Sequence, residues 1–179
     1  MNTLKEELTS VMNMIAQDPK AIFLGQSVYY PGHIMADTLK GVPANQILEL
    51  PVAEELQIGQ SIGLALEGFL PISIFPRLDF LIVAADQLIN HLDKYAEMSC
   101  GRFNPKVIIR TMVGSIYPLY PGPQRTQNHT EALKKMLTNV DVLTISEVSH
   151  VRPMYTKALW SPRSSIIIEA PSKRQGYDT

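Results

Sequence analysis

Cysteine is all but absent: Cys100 is the one example in 179 residues. That excludes an intrachain disulfide and points to a reducing compartment. A surplus of either charge is also missing, with a formal net charge of −1 and a pI of about 6.4. Without a basic excess, nothing suggests nucleic acid or an anionic membrane surface as partner. Long hydrophobic runs are lacking. Residues 80–85, FLIVAA, fall far short of the roughly 20 needed for a spanning helix. The opening MNTLKEELTSV puts acids where a signal peptide needs an apolar stretch. The expectation is a soluble, cytoplasmic protein. There is no G-x-G-x-x-G, no Walker loop and no Gly-Asp-Gly, and no two histidines have metal-ligand spacing. A dinucleotide fold, a phosphate-cradling loop and a metal centre held by this chain all lack a signature.

What is present is a core-former, 45% hydrophobic and 18% charged. That supports one domain, over residues 1–170, with a frayed tail at 171–179. Leu4, Leu8, Val11, Met12 and Ile15 recur at helical spacing. Further helices are predicted over 53–67, 80–97, near 129–138, and over 151–160, where Pro153 fits a first turn. Apolar runs at 21–25, 47–50, 70–75, 106–113, 140–148 and 165–170 read as strands. They are continuous rather than alternating, and they alternate along the chain with helices. This predicts a three-layer α/β fold, a doubly wound and mostly parallel sheet of five or six strands. In such folds ligands gather beyond the carboxyl ends of the strands. Glu54, the segment 77–80 and the loop 114–128 all follow strands, so all three are expected on one rim.

At that rim the stretch LELPVAEELQIGQSIGLALEGF (48–69) holds Glu54 and Glu55. Acids in a first helical turn complement the helix dipole, which is reason enough for their presence. Gly59 and Gly63, however, lie within the same helix. Each costs about 1 kcal/mol against alanine, and each lets another backbone come close, either the domain's own sheet or a partner chain.

With these residues, the chain resembles the pyrimidine-binding domain of thiamine-diphosphate enzymes (the transketolase-like superfamily). It is most similar to the β-subunit of the decarboxylating component of 2-oxoacid dehydrogenases. Pro51, Glu54, Gly59, Gly63, Gly68, Pro71 and Ile72 match a run in that family. So do AADQLIN (84–90), YAEMSCG (95–101) and GPQRTQ (122–127). The likeness extends over roughly residues 4–170.

The resemblance implies a mechanism. Glu54 matches the glutamate that hydrogen-bonds N1′ of the aminopyrimidine. Sharing a proton there favours the imino form of the exocyclic nitrogen, which takes the proton from C2 of the thiazolium. A partly buried carboxyl suits this role; Glu55 is off by one residue. Gln57 lies on the same helix and is counted with the cofactor-binding residues. A ring-covering aromatic is expected at Leu78, where leucine offers dispersion without stacking; Phe80 is the alternative, although it also suits a core position. Arg125 replaces the family's histidine. It stays protonated and clamps carboxylates or phosphates rather than shuttling protons. His129 is a substitute for that histidine or else a surface residue, and His33 lies in a loop that approaches the same rim.

The implied cofactor is thiamine diphosphate, its Mg²⁺ held by a partner. That partner is a diphosphate-binding, α-type subunit in a heterotetramer acting on a 2-oxo acid such as pyruvate. The expected activity is decarboxylation, dehydrogenation or carboligation. The alternative is a non-catalytic structural or regulatory partner with a decayed site.

Overall fold

A computed structural model describes residues 3–116 and 120–170; the expected tail at 171–179 lies outside them. Six strands form one sheet: β1 (Ala21–Gly25), β2 (Ile47–Glu49), β3 (Leu70–Ile74), β4 (Ile108–Met112), β5 (Asp141–Ile145) and β6 (Ser165–Glu169). Their order is β2-β1-β3-β4-β6-β5, and every neighbouring pair is parallel. The two borders are dissimilar. β2 is only three residues long and is soon followed by Pro51, while β5 opens on Asp141, which pairs with Arg163 at 3.0 Å.

Period-two alternation along buried strands sends residues to two cores. Ile108 and Met112 of β4, with Ile167 of β6, face one side. There they meet α1 (Leu4–Ile15), α2 (Ile34–Asp37) and α7 (Val148–Trp160). Ile109, Ile166 and Ile168 face the other side. They meet α3 (Glu54–Leu66), the segment 75–92 and α6 (Thr130–Met136). A capping box starts α1, with Glu6 N donating to Thr3 Oγ1 at 3.2 Å and Thr3 N to Glu6 Oε2 at 2.7 Å.

The expected regular helix over 80–97 is instead broken. It comprises α4 (Leu78–Leu81), a 3₁₀ turn (Ile82–Ala84), a π-helix (Gln87–Leu92) and α5 (Tyr95–Met98). The buried side chains explain this: Leu78, Leu81 and Ala84 recur every three residues, Ala84, Leu88 and Leu92 every four. No single period keeps all five inside, so the chain tightens and then widens, leaving Ile82 and Val83 outward. Buried Asp93 closes the segment by accepting the N–H groups of Thr138, Asn139 and Val140. α7 begins three residues earlier than expected, so Pro153 falls beyond the first turn.

Candidate active site

Because all six strands run the same way, the connections after β1, β2, β3 and β4 leave one edge of the sheet. The backbone there is fastened by side chains. Glu49, at the end of β2, accepts the N–H groups of Ser27, Val28 and Tyr29 at 2.6, 2.8 and 2.9 Å. This carboxylate holds the loop after β1, where Ser27 adopts φ +58°. His33 caps α2, its Nδ1 accepting Met35 N–H at 3.2 Å. Burial, then the charges of Arg77 and Arg110, hold His33 below its ordinary pKa.

Glu54 is the first residue of α3 and is half-buried; Glu55 beside it is exposed. Ala53 provides no side-chain cap, so the two acids stand at the positive end of the helix dipole. Gln57 points the other way. Its Nε2 donates to Ile74 O at 2.9 Å and to Ser73 Oγ at 3.1 Å, within the sheet. A side chain on Gly25 would meet Ile74 O at 2.2 Å, so glycine lets the end of β1 close on β3 in front of Gln57. This corrects the expectation that Gln57 faces a cofactor: its amide is spent on the protein, as part of the wall behind the rim.

Leu78 requires a similar correction. It is wholly buried in the core with Ile58, Phe75 and Leu81, and has no free face for a ring. Phe80, two residues on, is half-buried; of the two candidates, it alone offers an exposed surface.

Between them Asp79 does something the sequence did not announce. Its Oδ1 accepts both the N–H and the Nε2 of Gln127, each at 3.2 Å. His129 Nε2 lies 3.9 Å from the same oxygen, an ion-pair rather than a hydrogen-bond distance. The Asp79 side chain is 5% exposed, and its Oδ2 is buried with no hydrogen-bond partner. Asp79 therefore ties the connection carrying Arg125 and His129 to α4. Arg125 ends a 3₁₀ turn (Pro123–Arg125) and is exposed.

The glycines of α3 do not pack on the domain's own sheet. The residues that turn inward are Gln57, Ile58, Ser61 and Ile62. A side chain at Gly63 would meet nothing within 4 Å, and one at Gly59 only Gln87 Oε1 at 3.7 Å. Leu56 on this helix is 56% exposed, and Val83, on the neighbouring 3₁₀ turn, 58%. Among the described residues no three His, Cys, Asp or Glu side chains group to hold a metal ion, and no helix is long and apolar enough to cross a membrane.

Sequence comparison bears on this geometry. The chain is 29% identical over 159 residues to the acetoin:2,6-dichlorophenolindophenol oxidoreductase subunit beta of Cupriavidus necator. It is 27% identical over 129 residues to the 3-methyl-2-oxobutanoate dehydrogenase subunit beta of Mycobacterium tuberculosis. Over 171 residues it is 26% identical to the mitochondrial pyruvate dehydrogenase E1 component subunit beta-1 of Oryza sativa subsp. japonica. The chain is homologous to β-subunits of 2-oxoacid dehydrogenases. These alignments take in 81%, 69% and 93% of the chain but only 44%, 34% and 45% of the relatives, so it spans less than half of each. No family model matches.

Among solved structures, a split-gene transketolase in an inactive β4 tetramer superposes with a TM-score of 0.72 at 17% identity, covering 94% of this chain and 51% of that one. The transketolase of Leishmania mexicana gives 0.70 at 16%, covering 92% and 24%. The shared fold is a three-layer α/β fold like that of transketolases.

Proposed function

We propose that the chain is the pyrimidine-binding, β-type subunit of a heteromeric thiamine-diphosphate enzyme that decarboxylates a 2-oxo acid or transfers an acyl or two-carbon unit from it. The observation that carries this reading is Glu54, half-buried at the start of α3, on the rim where the loops converge. The cofactor, when bound, supplies a carbon nucleophile for the 2-oxo group. This chain's part is to position and to move protons. Glu54 holds a proton at N1′ of the pyrimidine, and Phe80 covers the ring. Arg125 binds the substrate's carboxylate, and His129, beside Asp79, is placed to handle protons at the same edge. Glu54 and Phe80 are the residues of this chain that would meet the pyrimidine half of the cofactor. The diphosphate and its Mg²⁺ are assigned to an α-type partner, which completes a heterotetramer.

Two features support a partner. The face of α3 around Gly59 and Gly63 is open, with apolar Leu56 and Val83 beside it. Named relatives are themselves β-subunits. The lone cysteine favours a cytoplasmic setting.

Co-expression with a diphosphate-binding subunit tests the reading: the complex should turn over a 2-oxo acid, and Glu54→Gln should reduce kcat at least a hundredfold. Unchanged turnover in that variant would refute the role of Glu54. Burial of Leu78 and the arginine at 125 favour a second reading, a non-catalytic partner with a decayed site. Tight, Mg²⁺-dependent binding of thiamine diphosphate to the complex, read by calorimetry, would eliminate it.

A further inference from the structure

His129 stands at the head of α6, where a side chain usually caps the helix, yet its ring makes no capping bond. Asn128 does that work instead. Its Oδ1 accepts the N–H of Thr130 at 3.1 Å and the Thr130 hydroxyl at 2.6 Å. The imidazole is therefore spare, and its Nε2 is turned toward Asp79, 3.9 Å from Oδ1. The backbone leading to it is fixed from two sides. Gln127 donates twice to Asp79. A side-chain carbon on Gly114 would lie 1.8 Å from the Arg125 carbonyl oxygen, so only glycine lets the turn at Arg125 settle there.

Asp79 has more acceptor capacity than it uses. Both bonds from Gln127 fall on Oδ1, while Oδ2 is buried without a partner. Arg77 reaches this carboxylate through its charge alone, so a donor is still lacking. An under-used carboxylate with a side chain only 5% exposed favours any N–H set beside it. Closing the gap from His129 to a hydrogen bond takes a shift of about 1 Å. We propose that Asp79 is the positioning residue of His129: it keeps the ring hydrogen on Nε2 and leaves Nδ1 as an open lone pair. The two ring nitrogens diverge, so Nδ1 faces away from the buried acid. Arg125 takes the place of the family's histidine but does not release its proton. The base of this edge is thus His129 Nδ1, four residues on. An O–H at the rim passes its proton to Nδ1 and keeps the electron pair on oxygen; Asp79 offsets the imidazolium charge until the proton is returned. The use of this base on substrate rests on the thiamine-diphosphate reading; the state of the ring does not.

The intact chain, ¹⁵N-labelled at histidine and without cofactor or partner, is read by long-range ¹H–¹⁵N correlation. The pH is held at about 8.5, roughly two units above the ordinary titration of histidine. The His129 signals are assigned by their loss in His129→Gln. Their Nδ1–H form should be about fivefold scarcer, or more, than in a histidine peptide measured alongside. In Asp79→Asn, which keeps an acceptor for Gln127, that form should return to the peptide's share. A wild-type ratio equal to the peptide's, or a ratio unchanged in Asp79→Asn, overturns the proposal. The wild-type comparison needs no variant, so it decides the matter even if Asp79→Asn does not fold. In the assembled enzyme Asp79→Asn should lower kcat about tenfold or more without raising KM, since Asp79 touches no substrate. Adding it to His129→Gln should cost nothing further; losses that add, or a change in KM alone, contradict positioning. Should Glu54→Gln leave turnover unchanged, the thiamine-diphosphate reading fails by itself, and the ring measurement on the isolated chain still stands.

Discussion

Replacing Arg110 with methionine asks what holds the centre of the sheet. Arg110 is the middle residue of β4 and is wholly buried, as is Glu169 at the end of β6. Arg110 Nε donates to Glu169 Oε1 at 2.7 Å, and Nη1 donates to Thr38 Oγ1 at 2.8 Å. The Tyr155 hydroxyl donates to Glu169 Oε1 at 3.4 Å, and burial pushes that phenol well above its ordinary pKa. Arg110→Met strands the carboxylate in the interior. Breaking a buried pair from one side costs about 3–5 kcal/mol, a large share of the roughly 5–15 kcal/mol of a typical domain. Thr38 keeps a partner, since its hydroxyl donates to Met35 O at 2.9 Å, so it adds little. Removing both charges in Arg110→Met/Glu169→Leu should cost far less than either single change, because no charge is then left unpaired. Urea unfolding followed by circular dichroism gives the four stabilities of the cycle. A single variant that loses under about 1 kcal/mol, or a double variant that loses the sum of the singles, refutes the reasoning.

Other expectations follow from the rim. His33 sits below its ordinary value of 6.5, so below that pH the unfolded chain takes up a proton that the folded chain refuses. Its stabilising contribution is complete above pH 6.5 and declines as the pH falls toward the folded pKa. His33→Asn, which keeps a capping oxygen, should flatten that part of the stability–pH curve; an unchanged slope rules His33 out as its source. Gly114→Ala should cost about 1–3 kcal/mol or more and move the Arg125 Nε–Hε resonance, because the added carbon meets backbone. Glu49→Ala frees three N–H groups and should cost about 1–3 kcal/mol, with faster amide exchange at Ser27, Val28 and Tyr29 than anywhere in β1.

The fold was legible because parallel strands buried on both faces must be apolar along their whole length, and this chain obeys that closely. The segment 80–97 misled for a physical reason. Ile82 and Val83 extend the apolar run but turn outward, so composition shows no boundary where the helical pitch changes. At the site, Glu54 stood out as an acid between a strand and a glycine-spaced helix. Leu78 turns into the core rather than toward the rim, since sequence spacing does not say which way a first-turn residue points. Asp79 and Glu49 went unremarked because their work is done across loops, on Gln127 and Ser27, and no local pattern records such a pairing. The one available signal was charge at the carboxyl ends of apolar runs, as in ILEL and FPRLDF.

The borders of the sheet have a consequence of their own. A neighbouring chain seeking to extend the hydrogen-bonded ladder finds, on one flank, a strand of only three residues with a proline two positions past its end and, on the other, a strand that begins with an ion pair. Both are poor templates for strand addition. Association is thereby discouraged edge to edge, and what remains attractive is the helical surface around Gly63, where backbones can approach without joining sheets.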